Sequence, residues 1–340
     1  MVTIDIENIW EQIELESQGI NRSGIIKRLI DPSWVCKIFL GIDIETNRRL
    51  FLIEAEYKIL RDFGSLPQTN GFEANIRYLG DEDENCMTLF LIVKKPLYHD
   101  LFGSLINDIL NHIDASYVVS SIETVISRLL RWQNFLERFH FKGLDEEAQR
   151  GLFGELYVLN RLLDTDLDKN RVLRAWKGPE KTVHDFIFER CSLEVKTSAT
   201  KQHQKVYISS ERQLDTSQTN ILYMCHLSLD NQSGIGCSLN QIIQKTRRQL
   251  FEAPLLAELF EDQLFVSGYL DIHFKLYIEP IYSIREYSLF KIQDGFPRII
   301  ETDLIEGVGD VKYSIMLSQC KKFKVQEVEV IHMIGEYKNG

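Results

Sequence analysis

His184-Asp185-Phe186-Ile187-Phe188, a short turn over Glu189, Arg190 and Cys191, and then Ser192-Leu193-Glu194-Val195-Lys196-Thr197-Ser198 form the stretch that decides the fold. It reads as a β-hairpin. Side chains on a strand alternate faces with a period of two, so Glu194, Lys196 and Ser198 share one face while Leu193 and Val195 lie on the other. On the first strand Asp185 shares a face with Val183 and Ile187. A tight turn brings Asp185 opposite the Glu194–Lys196 stretch, which collects two carboxylates and an ammonium on one face. Burying such charges costs several kcal/mol each, roughly, so stability alone does not account for the arrangement. The competing reading is a surface hairpin with an exposed Asp185–Lys196 salt bridge. The apolar Leu193 and Val195, and the aromatic Phe186 and Phe188 around Asp185, favour a core strand.

A second signal lies upstream, where residues 145–163 have the pattern of a helix. Asp145 is a plausible N-cap, and Glu146 and Glu147 suit the first turn near the positive end of the helix dipole. Ala148, Leu152, Leu159 and Leu163 follow helical spacing and predict the core-facing stripe. Glu155 falls inside that stripe, three after Leu152 and four before Leu159. A charged residue there needs a partner, either a cation such as Arg150 or a metal.

These stretches together resemble the PD-(D/E)XK nuclease superfamily, which has the restriction-endonuclease-like fold. More narrowly, Gly151-Leu-Phe-Gly-Glu-Leu156, Trp176-x-Gly-Pro179, His184-Asp-Phe186, Leu193-Glu-Val-Lys-Thr-Ser198 and Phe296-Pro-Arg-Ile299 resemble a bacterial PD-(D/E)XK family often encoded near restriction and phage-defence genes. The likeness covers roughly residues 145–310. One departure is His184 where the superfamily motif has proline, a position that carries no chemistry. The resemblance implies an α+β protein whose core is a mixed sheet flanked by helices, here with β-rich additions at both ends. It implies a metal-dependent endonuclease acting on DNA, with Glu155, Asp185, Glu194 and Lys196 as catalytic residues.

In that reading Asp185, Glu194 and Glu155 hold the metal. Mg²⁺ is a hard ion that prefers oxygen ligands, and Mn²⁺ can substitute. Lys196 would hold the attacking water and stabilise the transition state. Lys201, Lys205, Arg212, Gln213 and Ser198 are weaker candidates for DNA contact. For Gln213 and Ser198 a helix N-cap followed by a solvated turn is an alternative of at least equal weight. His184 faces away from Asp185 and reads as a packed core histidine.

Composition bounds the partners. The formal net charge of −11 argues against a general nucleic-acid coat protein, which would be basic, but a local basic stripe is enough for a DNA enzyme. The six cysteines have no C-x-x-C spacing and read as reduced and cytoplasmic. Cys225, His226 and Cys237 lack an evident fourth ligand for zinc. The longest mostly apolar run, Met87–Val93, is far too short for a membrane span. No HExxH, G-x-S-x-G or Walker motif is present.

Along the chain, residues 4–15 predict a short amphipathic helix. Cys36–Ile44, Leu50–Tyr57, Phe72–Leu79 and Met87–Val93 predict a four-strand meander, with an acidic turn at Gly80–Asn85. Helices are expected near Tyr98–His112 and Val118–Phe139, the latter with Val118, Ile122, Val125, Leu129, Trp132 and Leu136 on one side. Strands are expected at Lys205–Ser209 and Ile221–Leu229, and one helix at Leu239–Phe260. Further strands are expected at Phe265–Tyr269, His273–Tyr277, Tyr287–Ile292 and Val311–Leu317. The domains expected are a β-rich 1–112, a helical linker plus nuclease core at 113–235, and a helix and β-rich region at 236–340. A homodimer would supply two active sites for two DNA strands, and the flanking regions would serve DNA recognition or protein partners of a defence system. The rival to an enzyme is a non-catalytic DNA-binding or scaffold subunit of a defence complex. The intact Asp185, Glu194 and Lys196 favour the enzyme.

Overall fold

In the computed structural model, which describes residues 4–19, 23–61, 66–78, 86–139, 142–180, 182–199, 205–217, 219–230 and 236–336, the chain divides into two units, 1–141 and 142–340. The first begins with α1 (Ile6–Ser17), where Asp5 accepts the Asn8 N–H and Ile6, Trp10 and Ile13 form the buried stripe. Five strands follow: β1 (Ile25–Leu29), β2 (Lys37–Asp43), β3 (Arg48–Glu56), β4 (Phe72–Arg77) and β5 (Cys86–Val93). They pair antiparallel in the order β1-β2-β3-β5-β4. The four expected strands are therefore present, with β1 added at one edge. The acidic turn Gly80–Asn85 lies outside the described residues. A buried Arg49 ties α1 to the sheet, pairing with Glu7 at 2.6 Å and Glu14 at 2.9 Å while its guanidinium lies over the Trp10 ring. A single turn α2 (Tyr57–Leu60) precedes β4. Then α3 (His99–His112) and α4 (Val118–Arg138) pack together, with Arg128 and Trp132 of α4 both bonded to Asp108 of α3. Along α4 the expected stripe is buried from Ile122 to Trp132, with Phe135 rather than Leu136 continuing it.

The second unit carries the hairpin. Its first helices are α5 (Glu146–Leu163) and α6 (Lys169–Ala175); its sheet is built from β6 (Phe186–Ile187), β7 (Ser192–Ser198), β9 (Leu222–Asp230), β10 (Ser283–Ile292) and β12 (Lys324–Val325). The strand order is β12-β10-β9-β7-β6. Only β7 and β9 run parallel, so the sheet is mixed. A separate two-stranded ribbon pairs β8 (Lys205–Ile208) with β11 (Tyr313–Met316). Three layers result. Val206, Ile208 and Ile315 of the ribbon pack on Leu222, Met224, Phe290 and Ile292 of the sheet. On the other face α5 lies against β7 at Gly154, where a Cβ would collide with Thr197 Cγ2 and stand 3.4 Å from Val195 Cγ1. Asp145 caps α5 as expected, accepting the Ala148 N–H, but Ala148 itself is exposed and Gln149 takes the buried position.

The chain is α+β with a mixed sheet flanked by helices, as the sequence predicts. Several expectations change. The helix expected at Leu239–Phe260 is two helices, α7 (Leu239–Leu250) and α8 (Pro254–Val266). Pro254 has no N–H and restricts Ala253, so it ends one helix and starts the next. The segments expected as strands at 265–269 and 273–277 are the end of α8 with its turn, and a 3-10 helix over Asp271–Tyr277. Ile272, Phe274 and Leu276 alternate like a strand, yet no described strand pairs with them and all three are at least 40% exposed. A last helix, α9 (Glu327–Gly335), was not expected. The expected boundaries also move. α4 belongs to the first unit because it packs on α3, and 236–340 supplies β10 and β12 to the core sheet rather than an appended region. Among the described residues no helix is long and apolar enough to cross a membrane.

Candidate active site

The hairpin register pairs Phe186 with Leu193 and Ile187 with Ser192, and continuing it sets Asp185 opposite Glu194. β6 is shorter than the expected strand because the carbonyl of Asp185 leaves the ladder and accepts the N–H groups of Lys177, at 2.6 Å, and Gly178, at 3.0 Å. Asp185 therefore sits at the end of a two-residue edge strand. One carboxylate oxygen, Oδ2, accepts the Val195 N–H at 2.7 Å.

Glu194 is 2% exposed. Its Oε1 pairs with Lys196 Nζ at 2.6 Å, and its Oε2 is buried without a hydrogen-bond partner. Lys196 Nζ also donates to Gln213 Oε1 at 3.0 Å, and the same oxygen accepts the Ser209 N–H. The ion pair is thus Glu194–Lys196, with Glu194 buried and Lys196 half-buried, in place of an exposed Asp185–Lys196 bridge. Gln213 holds the ammonium from the ribbon side.

Glu155 comes from the helix layer and reaches the edge where Asp185 lies. Its Oε2 accepts the indole N–H of Trp176 at 2.8 Å, rather than pairing with Arg150. A Cβ built on Gly178 would collide with Glu155 Oε2 and stand 3.2 Å from Asp185 Oδ1, so both carboxylates converge on one point. Three acids and one base thereby share a small volume.

The electrostatics follow from that crowding. Burial, and then the charges of Asp185 and Glu194, hold the Glu155 carboxyl well above its ordinary range, against the Trp176 hydrogen bond. Burial and the Asp185 charge push Glu194 up to about 8, with Lys196 opposing. Burial raises Asp185 against the Val195 N–H. Burial works to lower Lys196, but Glu194, Asp185 and Glu155 outweigh it and the net shift is upward. The carboxylates outnumber the ammonium, and protons are retained where charge is uncompensated.

A divalent cation fits this donor set. Its ligands would be hard oxygens, its charge would relieve the repulsion, and Glu194 Oε2 is an orphaned acceptor facing that need. Among the described residues no three such side chains are pre-assembled as a metal cage. Each of the three carboxylates already gives one oxygen to a protein donor: Trp176, Val195 or Lys196.

The weaker candidates separate. Ser198 is buried and hydrogen-bonded to Nε2 of the buried His226 at 2.9 Å, which removes it from any nucleic-acid surface. Lys205 is half-buried at the head of β8. Arg212 is exposed, with Glu211 and Glu301 at 3.9 and 4.0 Å. Lys201 lies outside the described residues. His184 is buried, and burial lowers its pKa, in keeping with a core histidine. A cavity of about 670 Å³ lined by Glu286, Phe290, Leu317, Lys321 and Lys324 lies at β10 and the turn after β11; none of the four candidate catalytic residues lines it. Trp176 and Gly178 carry no site signal in the sequence beyond the Trp176-x-Gly-Pro179 resemblance, yet both touch the carboxylates.

A family model described as "Putative PD-(D/E)XK family member, (DUF4420)" matches residues 6–318. No curated protein matches the chain. No solved structure matches it either.

Proposed function

The chain belongs to this PD-(D/E)XK family, and from that premise we propose that it is a divalent-metal-dependent endonuclease that hydrolyses DNA phosphodiester bonds in bacterial restriction or phage defence. The observation that carries the reading is the meeting of the half-buried Asp185 and Lys196 with the buried Glu194, beside Glu155. Such a cluster costs stability, and it joins the acids and base that phosphodiester hydrolysis needs. Asp185 and Glu194 would hold the ion, with Glu155 completing the set. When bound, a divalent metal supplies charge neutralisation at the phosphate and acidifies a water. Mg²⁺ is the expected ion, with Mn²⁺ able to replace it.

The protein's own part is positional and electrostatic. The Glu194 pair, with smaller contributions from Asp185 and Glu155, favours the charged form of Lys196 against burial, so its ammonium is fit to stabilise negative charge rather than to remove a proton. Gln213 fixes that ammonium. Lys205 and Arg212 are proposed phosphate contacts, and a homodimer would bring two such sites to a duplex. The test is incubation of purified protein with supercoiled plasmid, and separately with RNA and branched DNA, in Mg²⁺ or Mn²⁺ against EDTA. Nicked or linear plasmid only with metal is the expected result. Cleavage of RNA alone would move the substrate class, and cleavage of nothing would overturn the assignment for the isolated chain.

A further inference from the structure

The Trp176–Gly178 turn takes no part in the chemistry above, yet it touches two of the three carboxylates. We propose that this turn is a positioning element that sets Glu155 against Asp185, so that the pair faces one divalent cation. The inference rests on the reading of these carboxylates as cation ligands.

Three contacts define the turn. The Trp176 indole N–H donates to Glu155 Oε2 at 2.8 Å. An indole N–H is a donor only, so it orients the carboxylate without competing for a cation. The backbone N–H groups of Lys177 and Gly178 hold the carbonyl of Asp185, fixing the residue that carries the second carboxylate. At Gly178 the absent side chain leaves the space that the Glu155 carboxylate occupies, with Asp185 Oδ1 3.2 Å away. Any other residue would force the Glu155 carboxylate out of its present position beside Asp185.

The turn is itself anchored. Trp176 is fully buried and packs on Phe260 with ring centroids 6.0 Å apart. Gln263 donates to the Trp176 carbonyl at 2.8 Å and to that of Leu173 at 3.1 Å. Trp176 also makes an antiparallel bridge to Phe186, the residue after Asp185. Helix α8, the turn and the hairpin therefore act on Glu155 as one support, in the manner of residues that orient metal ligands from behind.

The test is Mn²⁺ titration of the full chain by calorimetry, with plasmid cleavage read in parallel. The variants are Trp176→Phe and Gly178→Ala, each alone and combined with Glu155→Ala. Trp176→Phe keeps an aromatic ring but removes the donor. Gly178→Ala leaves Trp176 intact and carries the test if the tryptophan variant does not fold. Each single variant is expected to weaken Mn²⁺ binding 10- to 100-fold. Neither should weaken it further once Glu155 is alanine, since the effect runs through Glu155. Wild-type affinity in Gly178→Ala, or losses that add fully to that of Glu155→Ala, would overturn the inference while leaving the nuclease reading standing. A wild type that binds no Mn²⁺ overturns the ligand reading itself.

Discussion

Replacing Lys196 by methionine separates chemistry from metal binding. Methionine keeps much of the length and apolar character of the stem, so the packing against β9 is largely preserved, and only the ammonium is lost. The Lys196 side chain is 15% exposed, and its ammonium sits 2.6 Å from Glu194 Oε1. A unit charge about 4 Å from charge developing on a phosphate, at an effective dielectric near 20, is worth about 4 kcal/mol gross. Part of this is offset because the ground-state phosphate is already negative. About 3 kcal/mol of loss specific to the transition state remains, or at least ~100-fold in rate. DNA affinity should change little, since one phosphate contact is a small share of the total. Mn²⁺ binding should persist, because the variant frees Glu194 Oε1 from its internal partner. Single-turnover cleavage at saturating Mn²⁺, with filter binding and calorimetry on the same preparation, gives all three quantities. Wild-type cleavage by Lys196→Met would refute the role assigned to the ammonium. Loss of Mn²⁺ binding would show that Lys196 builds the carboxylate site instead.

Asp185→Asn keeps an oxygen for the Val195 N–H, so the fold should hold while Mn²⁺ binding and plasmid cleavage both disappear; a variant that still cuts in Mn²⁺ removes Asp185 from the ligands. Burial lowers His226 to about 4 from its ordinary 6.5, so the unfolded chain takes up a proton before the folded one does. The stability this contributes is complete above pH 6.5 and falls by about 3 kcal/mol as the pH drops to about 4. His226→Gln, compared with wild type in urea at pH 7 and pH 4.5, should lose that acid sensitivity, and equal pH dependence in the two proteins would contradict it. Gly154→Ala should destabilise by about 1–3 kcal/mol, because its Cβ meets the stiff Thr197 side chain, despite alanine's better helix propensity. Thr197→Ser, which lacks the offending methyl, should restore stability in the double variant, and a stabilising Gly154→Ala would show that α5 has room above β7.

The parts legible in the sequence were those set by local periodicity. Alternation in 192–198 and the length of the turn put Asp185 opposite Glu194 without knowledge of the rest of the sheet. Glu155 stood out because a carboxylate interrupts an apolar helical stripe. What escaped depends on partners distant in sequence. Ser198 is a weak candidate for DNA contact from its sequence alone, because nothing near it announces that β9 pairs alongside and delivers His226. Trp176 and Gly178 meet Glu155 only once α5, the turn and the hairpin close on one another. The 271–277 segment alternates apolar and polar residues, but a strand also needs a neighbour, and none of the described strands is beside it.

The most direct test of the account is a crystal structure grown with Mn²⁺ and read by anomalous scattering. The expected result is an ion about 2.0–2.3 Å from a carboxylate oxygen of both Asp185 and Glu194, with Glu155 turned toward it. An intact Glu194–Lys196 pair with no ion between the carboxylates at saturating Mn²⁺, in protein that still cuts DNA, would contradict it.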